Sequence, residues 1–230
     1  MDTIRKNLAA INTRLVNAAK RAGRDPRKIK LVAVSKKIDR ERIQAAVDCG
    51  QIYFGENYIQ EARDKIPTFA KNLSWHFIGH LQSNKARFAA ELFDVVETID
   101  NLKLATVLDR HLADLQKTLS VLIQVKINGE QQKSGIPLAE TEKLISEINR
   151  LPMLQVRGLM AMPPFCTDPE SVRPYFRQLR QTAEELTAKK LFAPQTRPEL
   201  SMGMSGDFEV AIEEGATIIR IGTAIFGPRT

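Results

Sequence analysis

The 230-residue chain has only two cysteines, Cys49 and Cys166, far apart and in no metal- or redox-type spacing. Neither a disulfide framework nor a cysteine-based metal site is expected. With one tryptophan and three tyrosines, it lacks the aromatics that would interleave with basic residues to stack nucleic-acid bases. No apolar run approaches the roughly 20 residues of a membrane span, and the N-terminal MDTIRKNLAAINTRLVNAAKRAG has helical period without a secretory core. No Pro-, Gly- or Ser-rich linker divides the sequence. What remains is 43% hydrophobic and 27% charged, an ordinary globular composition. The expectation is one domain over 1–230, with an amphipathic helix at 1–22, in a reducing cytoplasm and with no membrane partner.

The net charge of +7 is unevenly placed. Residues 1–40 hold 12 Lys and Arg against Asp2, Asp25 and Asp39, whereas the other 190 residues hold 22 basic against 24 acidic side chains. A basic helix without a nucleic-acid motif reads as a solvated face, so nucleic acid is not expected as the main partner.

Short apolar runs alternate with segments of helical period. The strand candidates are IKLVAVS, QIYFGE, SWHFIG, DVVETI, SVLIQVKI, LQVRGLMAM, ELSMGM and TIIRIG. Between them, DRERIQAAVDCG ends in a glycine suited to a helix C-terminus, and NLKLATVLDRHLADLQK keeps leucines at helical spacing; Asp39 and Asp100 are the expected N-caps. Eight strands alternating with helices predict an α/β fold, a (β/α)8 TIM barrel with an extra N-terminal helix. An open doubly wound sheet is the alternative, but the first strand–helix turn has no G-x-G-x-x-G.

Barrel enzymes place their chemistry at the C-terminal ends of strands. That end of the first strand carries Ser35, Lys36 and Lys37. Lys36 shares the alternation phase of Val32 and Val34, and Lys37 that of Leu31 and Ala33, so periodicity does not choose between the lysines. The last two strands end in LSMGMSGDFEVAIEEG and IIRIGTAIFG, where Gly203, Gly206 and Gly222 let the backbone approach a ligand and Ser205 and Thr223 supply hydroxyls. Singly these are turn glycines and helix caps. Together with a lysine they suit an aldehyde cofactor with a phosphate handle: an amine to form a Schiff base and a cradle for the anion. Arg220, alone in an apolar strand, needs a partner. It is either ion-paired with Glu209 or Glu213, or set against a pyridine nitrogen that it keeps unprotonated.

AVSK (33–36), FGENYIQE (54–61), WHFIGHLQSNK (75–85), SGI (134–136), RGLMAMP (157–163), LSMGMSGD (200–207) and RIGTAIFG (220–227) together resemble the pyridoxal 5′-phosphate (PLP) homeostasis protein family, whose members are similar to the barrel domain of alanine racemase. The resemblance implies a PLP fold-type III barrel with PLP as the cofactor, held as a Schiff base (aldimine) on Lys36, with Lys37 an exposed neighbour. It also implies that Ser205, Gly222 and Thr223 hold the phosphate, that Arg220 faces the pyridine nitrogen, that Asn57 lies beside the ring, and that Ser201, Met202 and Met160 are pocket walls. His76 and His80 share a strand face without a third ligand, so no metal is expected and His80 is read as a donor at the pocket rim. Trp75 reads as a buried wall, and the methionines mostly as core.

Related racemases draw a second proton donor from an additional domain and a partner subunit. Here the sequence runs out at Phe226-Gly-Pro-Arg-Thr, and only Tyr58 stands near a strand end. The expected function is therefore a non-catalytic PLP-binding protein in intracellular vitamin B6 homeostasis, a monomer that hands PLP to apo PLP-dependent enzymes. The alternatives are a small PLP-dependent amino-acid racemase and a cofactor-free Schiff-base aldolase.

Overall fold

The computed structural model describes residues 2–127, 134–164, 166–194 and 197–228. Arg229 and Thr230 of the C-terminal stretch quoted above lie outside these. Strands and helices alternate: α1 (Asp2–Arg21), β1 (Lys30–Val34), α2 (Arg40–Asp48), β2 (Tyr53–Glu56), α3 (Ile59–Lys65), β3 (Ser74–Phe77), α4 (Ala86–Leu92), β4 (Val95–Ile99), α5 (Leu102–Asp114), β5 (Leu119–Lys126), β6 (Ile136–Pro137), α6 (Thr141–Ile148), β7 (Leu154–Ala161), α7 (Arg173–Ala188), β8 (Glu199–Ser201), α8 (Phe208–Glu213), β9 (Ile218–Ile221) and α9 (Thr223–Phe226). All eight predicted strands form. The ninth, β6, is a two-residue strand beside the end of β5.

The other eight are parallel and close on themselves in the order β1-β2-β3-β4-β5-β7-β8-β9, with β9 pairing back onto β1. The barrel is the predicted (β/α)8 fold. Parallel strands buried on both faces read as continuous apolar runs rather than alternating ones, and β4 (VVETI) is buried at every position. The outer face packs against the helices in one large core that includes Phe54, Phe77, Leu112 and Phe176. The lumen holds a smaller apolar layer of Val32, Leu122, Met160 and Ile218, with Tyr53 against it. Trp75 is buried in the outer core between Phe54 and Phe69. No helix of the described residues is long and apolar enough to cross a membrane.

Local signals set the helix ends. Asp39 caps α2, its side chain accepting the Arg42 N–H at 2.8 Å, and Gly50 follows the last turn at φ +87°. The N-cap of α5 is Asn101, whose side chain accepts from the Leu104 N–H at 2.8 Å. This corrects the expectation of Asp100, which instead receives the Gly135 N–H at 3.2 Å. Helix α1 buries Ile4, Leu8, Ile11 and Leu15 at helical spacing. Some of its basic side chains meet acidic partners on α8, Arg14 with Glu209 at 2.7 Å and Arg21 with Glu213 at 2.9 Å. These pairs are partly exposed, so they orient the helix more than they stabilise it.

Strands β7 and β8 come so close that a Cβ on Gly158 would lie 1.9 Å from the Glu199 carbonyl oxygen. The register between β5 and β7 shifts just before this glycine. Gly158→Ala must force the two strands apart and is expected to cost about 3 kcal/mol, read as a lower urea midpoint at unchanged slope. An unaltered midpoint would show that β8 yields without loss.

Candidate functional site

The fold separates the two lysines. After β1 the chain turns at a buried Ser35, sending Lys36 half-buried into the mouth of the barrel and Lys37 out to solvent at φ +57°. Three side chains from β2 and α3 hold this turn. The Lys37 N–H donates to Glu61 at 2.6 Å, and the Ser35 hydroxyl donates to Glu56 at 2.6 Å. Lys65 donates at 2.9 Å to the Ser35 carbonyl, 2.8 Å to Glu56 and 2.7 Å to Glu61. Glu56 is fully buried and one of its oxygens has no partner. Burial pushes its carboxyl above the usual range against the pull of Lys65 and Ser35. The FGENYIQE motif contained both glutamates, yet nothing local showed that they fasten the preceding strand's turn.

A cavity of about 310 Å³ opens at this end of the barrel, lined by Lys36, Asn57, Ser205, Arg220, Gly222 and Thr223 among others. Six of the seven site residues expected from the sequence therefore line one cavity. Because β9 pairs with β1, with Ala33 beside Ile221, the Gly222-Thr223 turn is the immediate neighbour of Lys36 and not its counterpart across the opening. The loop after β8 is drawn in by a bond from the Arg220 N–H to the Gly203 carbonyl at 3.0 Å. Gly203 takes φ +93°, and a Cβ there would meet Ala211 at 2.6 Å, so only glycine makes the turn that brings Ser205 to the cavity. Asp207 also lines the cavity. Burial pushes its carboxyl up, while the Met204 N–H and Arg220 draw it back. The Asn57 side-chain oxygen is buried without a partner.

The seventh residue, Ser201, lies one layer deeper. It is fully buried and accepts from Arg220 Nη1 at 2.5 Å while donating to Glu97 Oε2 at 2.5 Å. Glu97, from the middle of β4, also accepts from His76 Nδ1 at 2.6 Å, and Arg220 Nη2 donates to the Ala161 carbonyl at 3.0 Å. The ion-pair partner of Arg220 is thus Glu97, at 3.8 Å. This corrects the expectation of Glu209 or Glu213, whose partners are Arg14, Arg21 and Arg173. Burial opposes the Glu97 charge, but bonds from His76 and Ser201 and the nearby Arg220 hold its carboxyl below the usual range. Burial lowers Arg220, and the charges of Glu97 and Asp207 oppose that. Sequence reading missed Glu97 although it carries the same signal as Arg220, a charge inside an apolar strand.

Other expectations shift as well. Met160 fills the lumen beneath the cavity and Met202 faces the helices, so neither is a cavity wall; Met162 and Met204 line the cavity instead. His76 is buried, whereas His80 is exposed and, like Tyr58, absent from the lining.

Two measurements check these charges. Lys65→Met strands the Glu56 carboxylate and is expected to cost about 3 kcal/mol in urea unfolding; a loss below 1 kcal/mol would show the cluster to be dispensable. Glu97 titrates lower in the folded chain than its ordinary 4.5. Its stabilising contribution is complete above that value and is lost as pH falls through the lower folded value. The stability gap between wild type and Glu97→Gln should therefore narrow on acidification below 4.5; a gap that widens would reverse the sign of the shift.

The chain is similar to known proteins over its full length. The family described as alanine racemase, N-terminal domain, matches residues 6–230. The pyridoxal phosphate homeostasis protein of Escherichia coli (strain K12) is 48% identical, with 100% of this chain and 98% of that protein covered. The structure of PipY from Synechococcus elongatus PCC7942 with PLP bound superposes with a TM-score of 0.84 at 37% identity, over 97% of this chain and 100% of that one. Alanine racemase of Clostridium difficile 630 shares the fold alone, with a TM-score of 0.77 at 14% identity over 99% of this chain and 57% of the racemase. The buried network and the cavity thus stand on a barrel with close relatives, and the chain belongs to the alanine racemase N-terminal domain family and, within it, to the pyridoxal phosphate homeostasis proteins.

Proposed function

We propose that this barrel binds PLP reversibly through Lys36 and serves its homeostasis rather than turning over a substrate. The observation that carries this reading is the juxtaposition in one cavity of a primary amine, two hydroxyl-bearing turns and a guanidinium fixed from beneath. Each suits one part of the molecule. Lys36 supplies the amine that an aldehyde requires. Ser205, Gly222 and Thr223 would hold the phosphate, with the first amides of α9 lacking intrahelical acceptors. Arg220 would meet the ring nitrogen, and Asn57 would lie beside the ring. Ser201 would act from the layer below.

When bound, PLP supplies an electron sink for carbanion chemistry. Arg220 works against that, because a guanidinium disfavours a proton on the adjacent ring nitrogen and a neutral ring withdraws electrons poorly. Among the described cavity residues there is no imidazole or phenol, and Tyr58 and His80 stand outside the lining, though Asp207 and Cys166 are within it. The poorly withdrawing ring favours a carrier over a racemase. We further propose that residues 1–230 act as one monomeric, cytoplasmic unit and that the open mouth lets PLP pass to apo-enzymes.

Incubation with PLP is expected to give a visible absorption band that borohydride abolishes, with the pyridoxyl adduct mapped by mass spectrometry to Lys36. In Lys36→Ala that band should vanish while weaker, non-covalent binding persists. Arg220→Glu should shift the absorption of the bound cofactor. A chiral assay with L-alanine should show no racemisation; steady turnover would establish the racemase instead. A protein that stays colourless but cleaves a phosphorylated keto sugar would establish the aldolase.

A further inference from the structure

Three polar side chains lie inside the barrel beneath the cavity, and the proposed binding residues do not account for all of them. Glu97 and Ser201 are fully buried and His76 nearly so, on β4, β8 and β3 respectively. Donor and acceptor roles run one way through them. A guanidinium only donates and an ionised carboxylate only accepts, so the Ser201 hydroxyl must receive from Arg220 and give its proton to Glu97. The other Glu97 oxygen is taken by His76 Nδ1–H at 2.6 Å. Arg220 is fixed a second time by the Ala161 carbonyl at 3.0 Å, yet it still lines the cavity.

We infer that Glu97 is a positioning residue for the cofactor ring: acting through Ser201 it aims the Arg220 guanidinium into the cavity, and His76 aims Glu97. This rests on the reading that the cavity takes PLP. A lone buried arginine can satisfy itself by turning away from the cavity, and a charge that has lost its buried counter-ion does so at a gain. The chain of bonds from β3 to β9 closes off that choice. Surrounding charged and titratable groups, taken from each packed element, are Lys36 after β1, Tyr53 on β2 with its ring 6.1 Å from that of His76, His76 on β3, Arg220 on β9 and Asp207 beside α8. From β5 the buried polar side chain is Gln124, and from β8 it is Ser201. Glu97 is the carboxylate in hydrogen-bonded reach of the Ser201–Arg220 pair.

The test is a double-mutant cycle on the PLP-loaded protein, comparing wild type, Glu97→Gln, Arg220→Gln and the double variant. Two quantities are read: the rate at which PLP is released on dilution and the absorption maximum of the bound chromophore. Glu97→Gln is expected to speed release about tenfold and to move the maximum in the same direction as Arg220→Gln. In the Arg220→Gln background it should change release by less than about twofold, since a residue acting through Arg220 has nothing left to act on. Fully additive effects, or an unchanged maximum in Glu97→Gln, would overturn the inference.

Should Glu97→Gln fail to fold, His76→Leu and His76→Asn decide the matter. The asparagine amide keeps a donor near the position of Nδ1 and leucine does not, so His76→Asn should behave as wild type and His76→Leu as described for Glu97→Gln. Wild-type behaviour in His76→Leu would overturn the inference. A wild type that takes up no PLP overturns the cofactor reading and the inference with it. A coloured wild type with additive variants overturns the inference alone.

Discussion

A positive charge buried at the mouth of a closed barrel has to be neutralised from within the barrel. Arg220 meets this requirement through Ser201 and Glu97, and the lumen is built around the solution. Below lies the thin apolar layer of Val32, Leu122, Met160 and Ile218; above lies the cavity. Removing water from both charges is costly, and the bonds from Arg220 to Ser201 and Ala161 and from Ser201 and His76 to Glu97 offset it, with His76 Nε2 left without a partner. The network therefore specifies the relative positions of five strands more strictly than apolar packing does, because hydrogen bonds are directional and dispersion contacts are not.

A second cluster holds the backbone on either side of Lys36. Glu56, Glu61 and Lys65 close around the Ser35–Lys37 turn, binding one backbone carbonyl and one backbone N–H. The guanidinium is thus backed by a carboxylate that is itself fully buried, and the turn that carries the amine is fastened by another, Glu56, through Ser35 and Lys65. Relatives of this chain are pyridoxal phosphate homeostasis proteins. Fixing the guanidinium and the backbone turn that carries the amine in advance reduces the ordering cost of taking up a small anionic aldehyde.

The fold was largely legible because its signals are local. Each strand is a short apolar run, the amphipathic helices alternate with these runs, and caps such as Asp39 act within three residues. The α5 cap was misplaced by one position because Asp100 and Asn101 are equally suited to it; the choice fell to Asn101 once Asp100 was engaged by Gly135 across 35 residues of chain. Most of the candidate site was also legible, since strand phase and glycine-bearing turns mark the mouth of any such barrel. Glu97 bears the same mark as Arg220, a charge inside an apolar strand, but its role was not legible, because its partner Ser201 lies 104 residues away.

By itself the sequence determined the eight strands, the closure class, and the residues that could reach the C-terminal mouth, since those follow from periodicity and turn chemistry. Only the tertiary structure decided that the Lys36 side chain faces the cavity while Lys37 turns outward, and that Glu97 is the counter-ion of Arg220. Both depend on the register at which strands far apart in the chain meet inside the closed barrel, and no local pattern encodes that register.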